Sequence, residues 1–421
     1  MVEGSFRFHS RITIDIGSFH AKYKDSEFTH DDSAQVNASM VKMTESMLAN
    51  NSQYPLSLLR VCFYLVKESL DNVRCVDNAM ASREIAALHF MMFPEIVDQD
   101  CTPDHKMNYG TDIGPRAFGC LYYLHIQCVA LSINDMANVL EKCNKLLHLS
   151  LKFCDFGFES VLKMEHTQLT ILEHSYCKCA SVQLICLPSL IQLTCDVWTA
   201  PEDKHPISFD YVPQLSTLIL CNLATTYHKK IQLSEFLINV MISELDLDFS
   251  CERIWVQPEA PKQAGPCLQN LQFLSLRCIH EECDLDWTLF FLQAAPLLKK
   301  MFVEVWDHTS CAHEEDEPKE FTELCQLVYQ KNSDSLTWAH NDLKHYSLKE
   351  LIINGYQIEE KFIRYTRRVV EAAVNLELVM LLDFTSCEFC NFSASTRYPR
   401  TEEERYLIRN QILGWSTSGS R

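Results

Sequence analysis

Two cysteines separated by two residues, Cys387-Glu-Phe-Cys390, have the spacing that lets two thiolates share a zinc ion, provided that a second pair completes the tetrahedron. His308, Cys311 and His313 could supply that second pair only if folding carries them there. In a chain with 20 cysteines among 421 residues, Cys387 and Cys390 read as free thiols and no metal is expected. Cys177 with Cys179, and Cys278 with Cys283, fall in or beside apolar repeats and read as small core residues. The 16 histidines include no HExxH, and no GxSxG, Walker-type loop or GxGxxG occurs. Only folding could assemble a Ser-His-Asp arrangement, and nothing marks one out. The expectation is a protein that is not an enzyme, with no catalytic residue and no cofactor.

Charge narrows the choice of partner. Lys and Arg number 37 against 56 Asp and Glu, a net charge of −19. General binding to nucleic acid or to an anionic membrane needs positive charge, so neither partner is expected. Arg364, Arg367 and Arg368 read as a solvated helix face balanced by Glu359, Glu360 and Glu371, with an anionic contact as the alternative. Glu244, Asp246 and Asp248 put three like charges on one short strand. That row fits either a basic ligand or an ordinary charged strand face.

The elements that carry these residues are announced by repetition. Residues from Leu146 read Leu146-x-x-Leu149-x-Leu151-x-x-Cys154. The frame returns at Leu169, Leu190, Leu215, Ile242, Leu271 and Leu298, with looser copies at Leu58, Ile85, Leu121, Leu348 and Leu376. From Leu121 the starts lie 25, 23, 21, 25, 27, 29 and 27 residues apart, within the leucine-rich-repeat range of about 20–29. Helix-like segments fill gaps after Ser132, Ser234 and Asp286, and Pro296 stops the last of these. On each strand the fourth and sixth slots face one way, so Leu149 and Leu151 point inward and His148, Ser150 and Lys152 outward. Stacking such layers gives one apolar spine and a parallel sheet. The fold class expected is α/β: a curved leucine-rich-repeat solenoid with helices or irregular segments on its outer face, and a C-terminal cap.

Residues 1–55 are expected to be an irregular N-terminal segment with a helix near Ala38–Leu48, followed by repeats over 56–306. Pro94 to Pro115 reads as a loop, and residues 307–345, with HEEDEP at 313–318, as an acidic insertion. Residues 346–415 close the array, with helices over Glu359–Val374 and Glu402–Leu413, the latter capped by Thr401 and Glu404 and ended by Gly414. Residues 416–421 read as a disordered tail. The start, MVEGSFRFHS, has no apolar signal core, so reduced thiols and an intracellular location, cytoplasm or nucleus, are expected.

Several stretches, in order, resemble plant F-box/leucine-rich-repeat proteins of the group expanded in grasses. They are FDYVPQLSTLILCN, Cys251–Glu259, Asp284–Lys300, Leu348–Gly355, Arg364–Glu377 and Arg397–Arg405, and they cover roughly residues 110–415. The last region is similar to an FBD-like C-terminal module. The resemblance implies a substrate-recognition subunit of an SCF-type E3 ubiquitin ligase complex, with the target protein on the concave repeat face. The F-box itself is not found: residues 1–55 contain no LPDEL-like opening, and the first tryptophan is Trp198. A Skp-type adaptor is therefore expected as a partner only if an F-box lies upstream. The alternative is a stand-alone repeat protein for interaction or regulation. Asp196, Glu244, Asp246, Asp248 and Arg277 are the candidate protein-binding residues on the concave face.

Overall fold

The protein is described by a computed structural model. It describes residues 11–16, 30–49, 56–64, 70–80, 85–93, 115–197, 205–222, 230–250, 254–306, 343–383 and 397–414. Cys387 and Cys390, expected to be free thiols, and His308, Cys311 and His313 lie outside the described residues, as do the HEEDEP run and residues 416–421. The fold is α/β, and the chain divides into two compact units, Met1–Gln214 and Leu215–Arg421.

In the first unit seven strands form a parallel sheet. They are β1 (Arg11–Asp15), β2 (Leu58–Tyr64), β3 (Leu88–Phe93), β4 (Leu121–Gln127), β5 (His148–Lys152), β7 (Ile171–Ser175) and β9 (Gln192–Asp196), in that order. Their registers build the spine rung by rung. Ile14, Val61, Phe90, Leu124, Leu149, Leu172 and Leu193 stand in line, followed two residues on by Phe63, Met92, Ile126, Leu151, His174 and Cys195. All of these are buried.

The connections account for the layers. Parallel neighbours need a crossover. Helices His30–Ala49, Leu70–Ala79, Pro115–Gly119 and Ile133–Lys142 supply the first four. Ser132 caps the last of these in a capping box with Asp135. From β5 onward the crossovers are themselves strands: β6 (Asp155–Glu165), β8 (Lys178–Cys186) and β10 (Ile207–Tyr211), paired in parallel as a second sheet in the order β10-β8-β6. Outer helices or irregular segments were expected there. The alternation of Leu162 and Met164, and of Ala180, Val182 and Leu184, has the strand period instead, and all five are buried.

Two further differences concern the ends of this sheet. Within the expected irregular segment 1–55, RITID forms β1 in register with Leu58–Cys62, and the helix runs over His30–Ala49. The frame starting at Ile85 is displaced: Phe90 and Met92, not Leu88 and Phe90, line up with Leu124 and Ile126. A shift of two residues leaves every side chain on the same face, so the apolar pattern cannot detect it.

The second unit holds a six-stranded parallel sheet in the order β11 (Thr217–Cys221), β12 (Glu244–Asp248), β13 (Phe273–His280), β14 (Lys300–Trp306), β15 (Glu350–Asn354) and β16 (Leu378–Leu382). Leu218, Leu245, Leu274, Met301, Leu351 and Val379 align, as do Leu220, Leu247, Leu276, Val303, Ile353 and Leu381. Beneath them Trp287 packs among Phe249, Phe290 and Phe291. The closing helix Glu402–Leu413 carries the Thr401–Glu404 capping box and ends on Gly414 at φ 68°. Among the described residues no helix is long and apolar enough to cross a membrane.

Candidate functional site

Alternation that buries one face of each sheet turns other side chains to the opposite face, where polar groups cluster on a few strands, and the two units expose different chemistry there. In the second unit the site is built on β12 and β13. Leu245 and Leu247 point into the core, so Glu244, Asp246 and Asp248 stand on the opposite face. The register sets Asp246 against Ser275 and Asp248 against Arg277. The Arg277 guanidinium reaches back along the strand: its Nε donates to Asp246 Oδ1 at 2.8 Å, and an Nη lies 3.7 Å from Asp248. Burial works against the arginine charge, but the hydrogen bond and charge of Asp246, with Asp248 behind them, outweigh it and raise its pKa.

The repelling acidic row foreseen from the sequence is thus balanced from within. Asp248 also accepts from the Ser250 amide at 2.8 Å and from the Cys278 thiol at 3.7 Å. Glu244 is exposed and accepts from Thr217 Oγ1 at 3.4 Å. Asp246, Asp248 and Arg277 therefore form one cluster, and Glu244 stands on the same strand with its own partner. Asp196 belongs to the first unit, half-buried at the end of β9, where it faces Ser175 across the sheet.

Arg364, Arg367 and Arg368 are not the solvated face expected of them. Arg364 bonds Asp284 and lies 3.4 Å from Asp286, and Arg368 meets Asp286 at 2.7 Å. Arg367 donates to the Gln411 carbonyl at 2.8 Å. These bonds fasten the Glu360–Ala372 helix to the 284–286 segment and to the closing helix. Asp286 was expected to precede and cap a helix; its carboxylate instead serves this clamp. Ser234, expected in the same role, lies inside the Leu233–Phe236 helix and hands its hydroxyl to the buried Glu259.

The first unit presents a row that motif reading did not single out. Arg60, His89 and Tyr123 are register partners on β2, β3 and β4, and Tyr123 is in turn opposite His148 on β5. The rings of His89 and Tyr123 lie 5.3 Å apart, and those of Tyr123 and His148 meet edge-on at 4.7 Å. His148 Nε2 is 3.2 Å from Glu173 Oε1, and the bond to His148 is the chief reason that the Glu173 carboxyl titrates below its ordinary range. His125, two residues on from Tyr123 along β4, lies in the next row between Ser150 Oγ at 3.0 Å and Gln127 Oε1 at 3.2 Å. Burial, the Arg60 charge and His148 all lower the His89 pKa. The outward slots of the repeat frame hold His148 and Glu173 in plain view. His89 and Tyr123 meet only because the register shifts by one residue between Leu88 and His89, which no local pattern announces.

Among the described residues no group of three or more His, Cys, Asp or Glu side chains is placed to hold a metal ion. A scan against protein-family models finds no match, and a search of curated proteins finds no significantly similar relative.

Proposed function

We propose that this chain is a leucine-rich-repeat solenoid whose polar, concave sheet face recognises another protein, and that it serves as the substrate-recognition arm of an SCF-type ubiquitin ligase. The observation that carries the recognition reading is a division of labour along the strands. One side of each strand supplies a rung of the core, and the other side of several strands holds polar groups in fixed cross-strand arrays such as Asp246–Arg277–Asp248 and Tyr123–His148–Glu173. Side chains locked by their neighbours lose little freedom on binding, which favours a recognition surface. A few anchors would carry the affinity, with Asp196, Glu244, Asp246, Asp248 and Arg277 as the candidates. The ligase part rests on the motif resemblance over residues 110–415. The corresponding location is the cytoplasm or nucleus, with neither nucleic acid nor membrane as partner.

Two measurements test the parts separately. A specific partner identified by cross-linking should be lost from D246A/R277A and retained by substitutions in the Glu402–Leu413 helix. Equal retention by both variants removes the sheet face from recognition. Stable co-elution of the full chain with a Skp-type adaptor supports the ligase arm. Its absence leaves the second reading, a stand-alone interaction or regulatory protein.

A further inference from the structure

Most outward groups on the first unit's sheet have partners within the fold: His148 has Glu173, and His125 has Ser150 and Gln127. Arg60, His89 and Tyr123 differ. Among the described residues the Arg60 guanidinium, the His89 ring nitrogens and the Tyr123 hydroxyl have no hydrogen bond or ion pair. They stand on three adjacent strands as successive register partners, about 4.8 Å from one backbone to the next. Arg60 is exposed and close enough for its charge to act on both other groups. The carboxylate whose charge acts on Tyr123, that of Glu173, is already tied to His148.

From this juxtaposition we propose that Arg60, His89 and Tyr123 receive a phosphate group carried on a side chain of the partner protein. One permanent positive charge, Arg60, with two further donors beside it, His89 and Tyr123, matches a group with three terminal oxygens and up to two negative charges. A carboxylate carries a single negative charge on two oxygens and is the poorer match to a guanidinium fork with two further donors beside it. The planar fork of Arg60 bonds two oxygens at once, and the shorter His89 and Tyr123 side chains approach the third. The three donors stand on an open sheet face, where a free phosphate ion stays largely hydrated. A phosphorylated peptide adds contacts to the neighbouring strands that a free ion lacks. The inference deepens the recognition reading of this face and depends on it.

The test uses the full chain and immobilised short peptides of degenerate sequence around a central phosphoserine, beside the same peptides with serine. Retention should favour the phosphorylated set by about tenfold or more, equivalent to about 1.4 kcal/mol. Inorganic phosphate should compete only at much higher concentration. R60Q and H89Q should each abolish most of that preference, and R60K should restore part of it. R409Q, which removes one exposed arginine charge from the Glu402–Leu413 helix, should leave it intact. Circular dichroism confirms that the variants, all at solvent-facing positions, keep the fold. Equal retention of both peptide sets overturns the proposal, and so does equal loss in R60Q and R409Q. Binding of inorganic phosphate with no gain from the flanking peptide overturns the protein-borne source. Partner loss in D246A/R277A with no phosphopeptide preference sinks this inference alone and leaves the recognition reading standing.

Discussion

His166 and His345 perform one task in two places. Each lies three residues before the leucine that opens a repeat frame, Leu169 or Leu348. The ring Nε2–H donates to a carbonyl closing the previous turn, Cys143 or Ala295, at 2.9 Å, and Nδ1 accepts the amide of the opening leucine at 3.0 Å. Burial keeps both rings below the ordinary histidine pKa, which suits a nitrogen that must accept. H166A or H345A strands a buried amide and a carbonyl, so each should lose about 2 kcal/mol in urea unfolding. His174 replaces an apolar residue on the inner spine, beside the thiols of Cys179 at 3.6 Å and Cys195 at 4.0 Å. Full burial lowers its pKa to about 4. The unfolded chain therefore takes up the proton first as pH falls. The contribution of this residue is whole above about pH 6.5 and is lost on the way down to about pH 4, roughly 3 kcal/mol in all. Unfolding midpoints measured between those limits should fall with pH, and H174L should flatten the slope; an unchanged slope assigns it to other groups.

Short strands with two inward apolar residues apiece have little stability alone, and their length is fixed by pairing. Leu245 lies between Leu218 and Leu274 with no exposed surface, so L245A opens a hole along the spine. A loss of about 2–5 kcal/mol is expected in chemical denaturation. The Glu360–Ala372 helix is held differently, through Arg364 and Arg368 on Asp284 and Asp286. Burial and the neighbouring Asp284 raise the Asp286 pKa, while Arg368 and Arg364 pull it back, so the pairing is a compromise. D286N should speed amide exchange in that helix and leave β12 and β13 protected; uniform loss of protection would show that the clamp stabilises the unit globally. Single exposed ion pairs contribute little, but here two arginines share one half-buried carboxylate.

Among the described residues of both units, the buried cysteines act as small apolar side chains. Cys143 and Cys195 lie fully in the core, and burial pushes the Cys143 thiol up to about 12 and that of Cys195 higher still. Thiolate is the reacting form, so both should resist alkylation at about pH 8 in the native protein and react on denaturation. Native-state labelling at either position, read by mass spectrometry, would show that its surroundings open. The net charge of −19 sets a repulsive background, against which Arg277 and Arg60 are local exceptions with opposite fates. One is neutralised by two aspartates within the fold, and the other stands exposed on β2.

Pattern was enough for the spine. Every frame from Leu121 to Leu298, and those at Leu58, Leu348 and Leu376, supplies its fourth and sixth residues to strands whose registers agree within each unit. Burying apolar side chains at alternate positions is a local demand, and a local code can state it. RITID escaped notice because a single short strand between polar stretches offers too few apolar positions to declare a period. The frame at Ile85 was misplaced because alternation is blind to a slip of two residues. Meetings between strands are another matter. The neutralisation of Asp246 and Asp248 by Arg277, the clamp on Asp286, and the row Arg60–His89–Tyr123 each join residues about 30 or more positions apart. Their contact depends on register and bulge. Those follow from the packing of whole neighbouring strands, so no stretch of chain short enough to be read as a motif contains them.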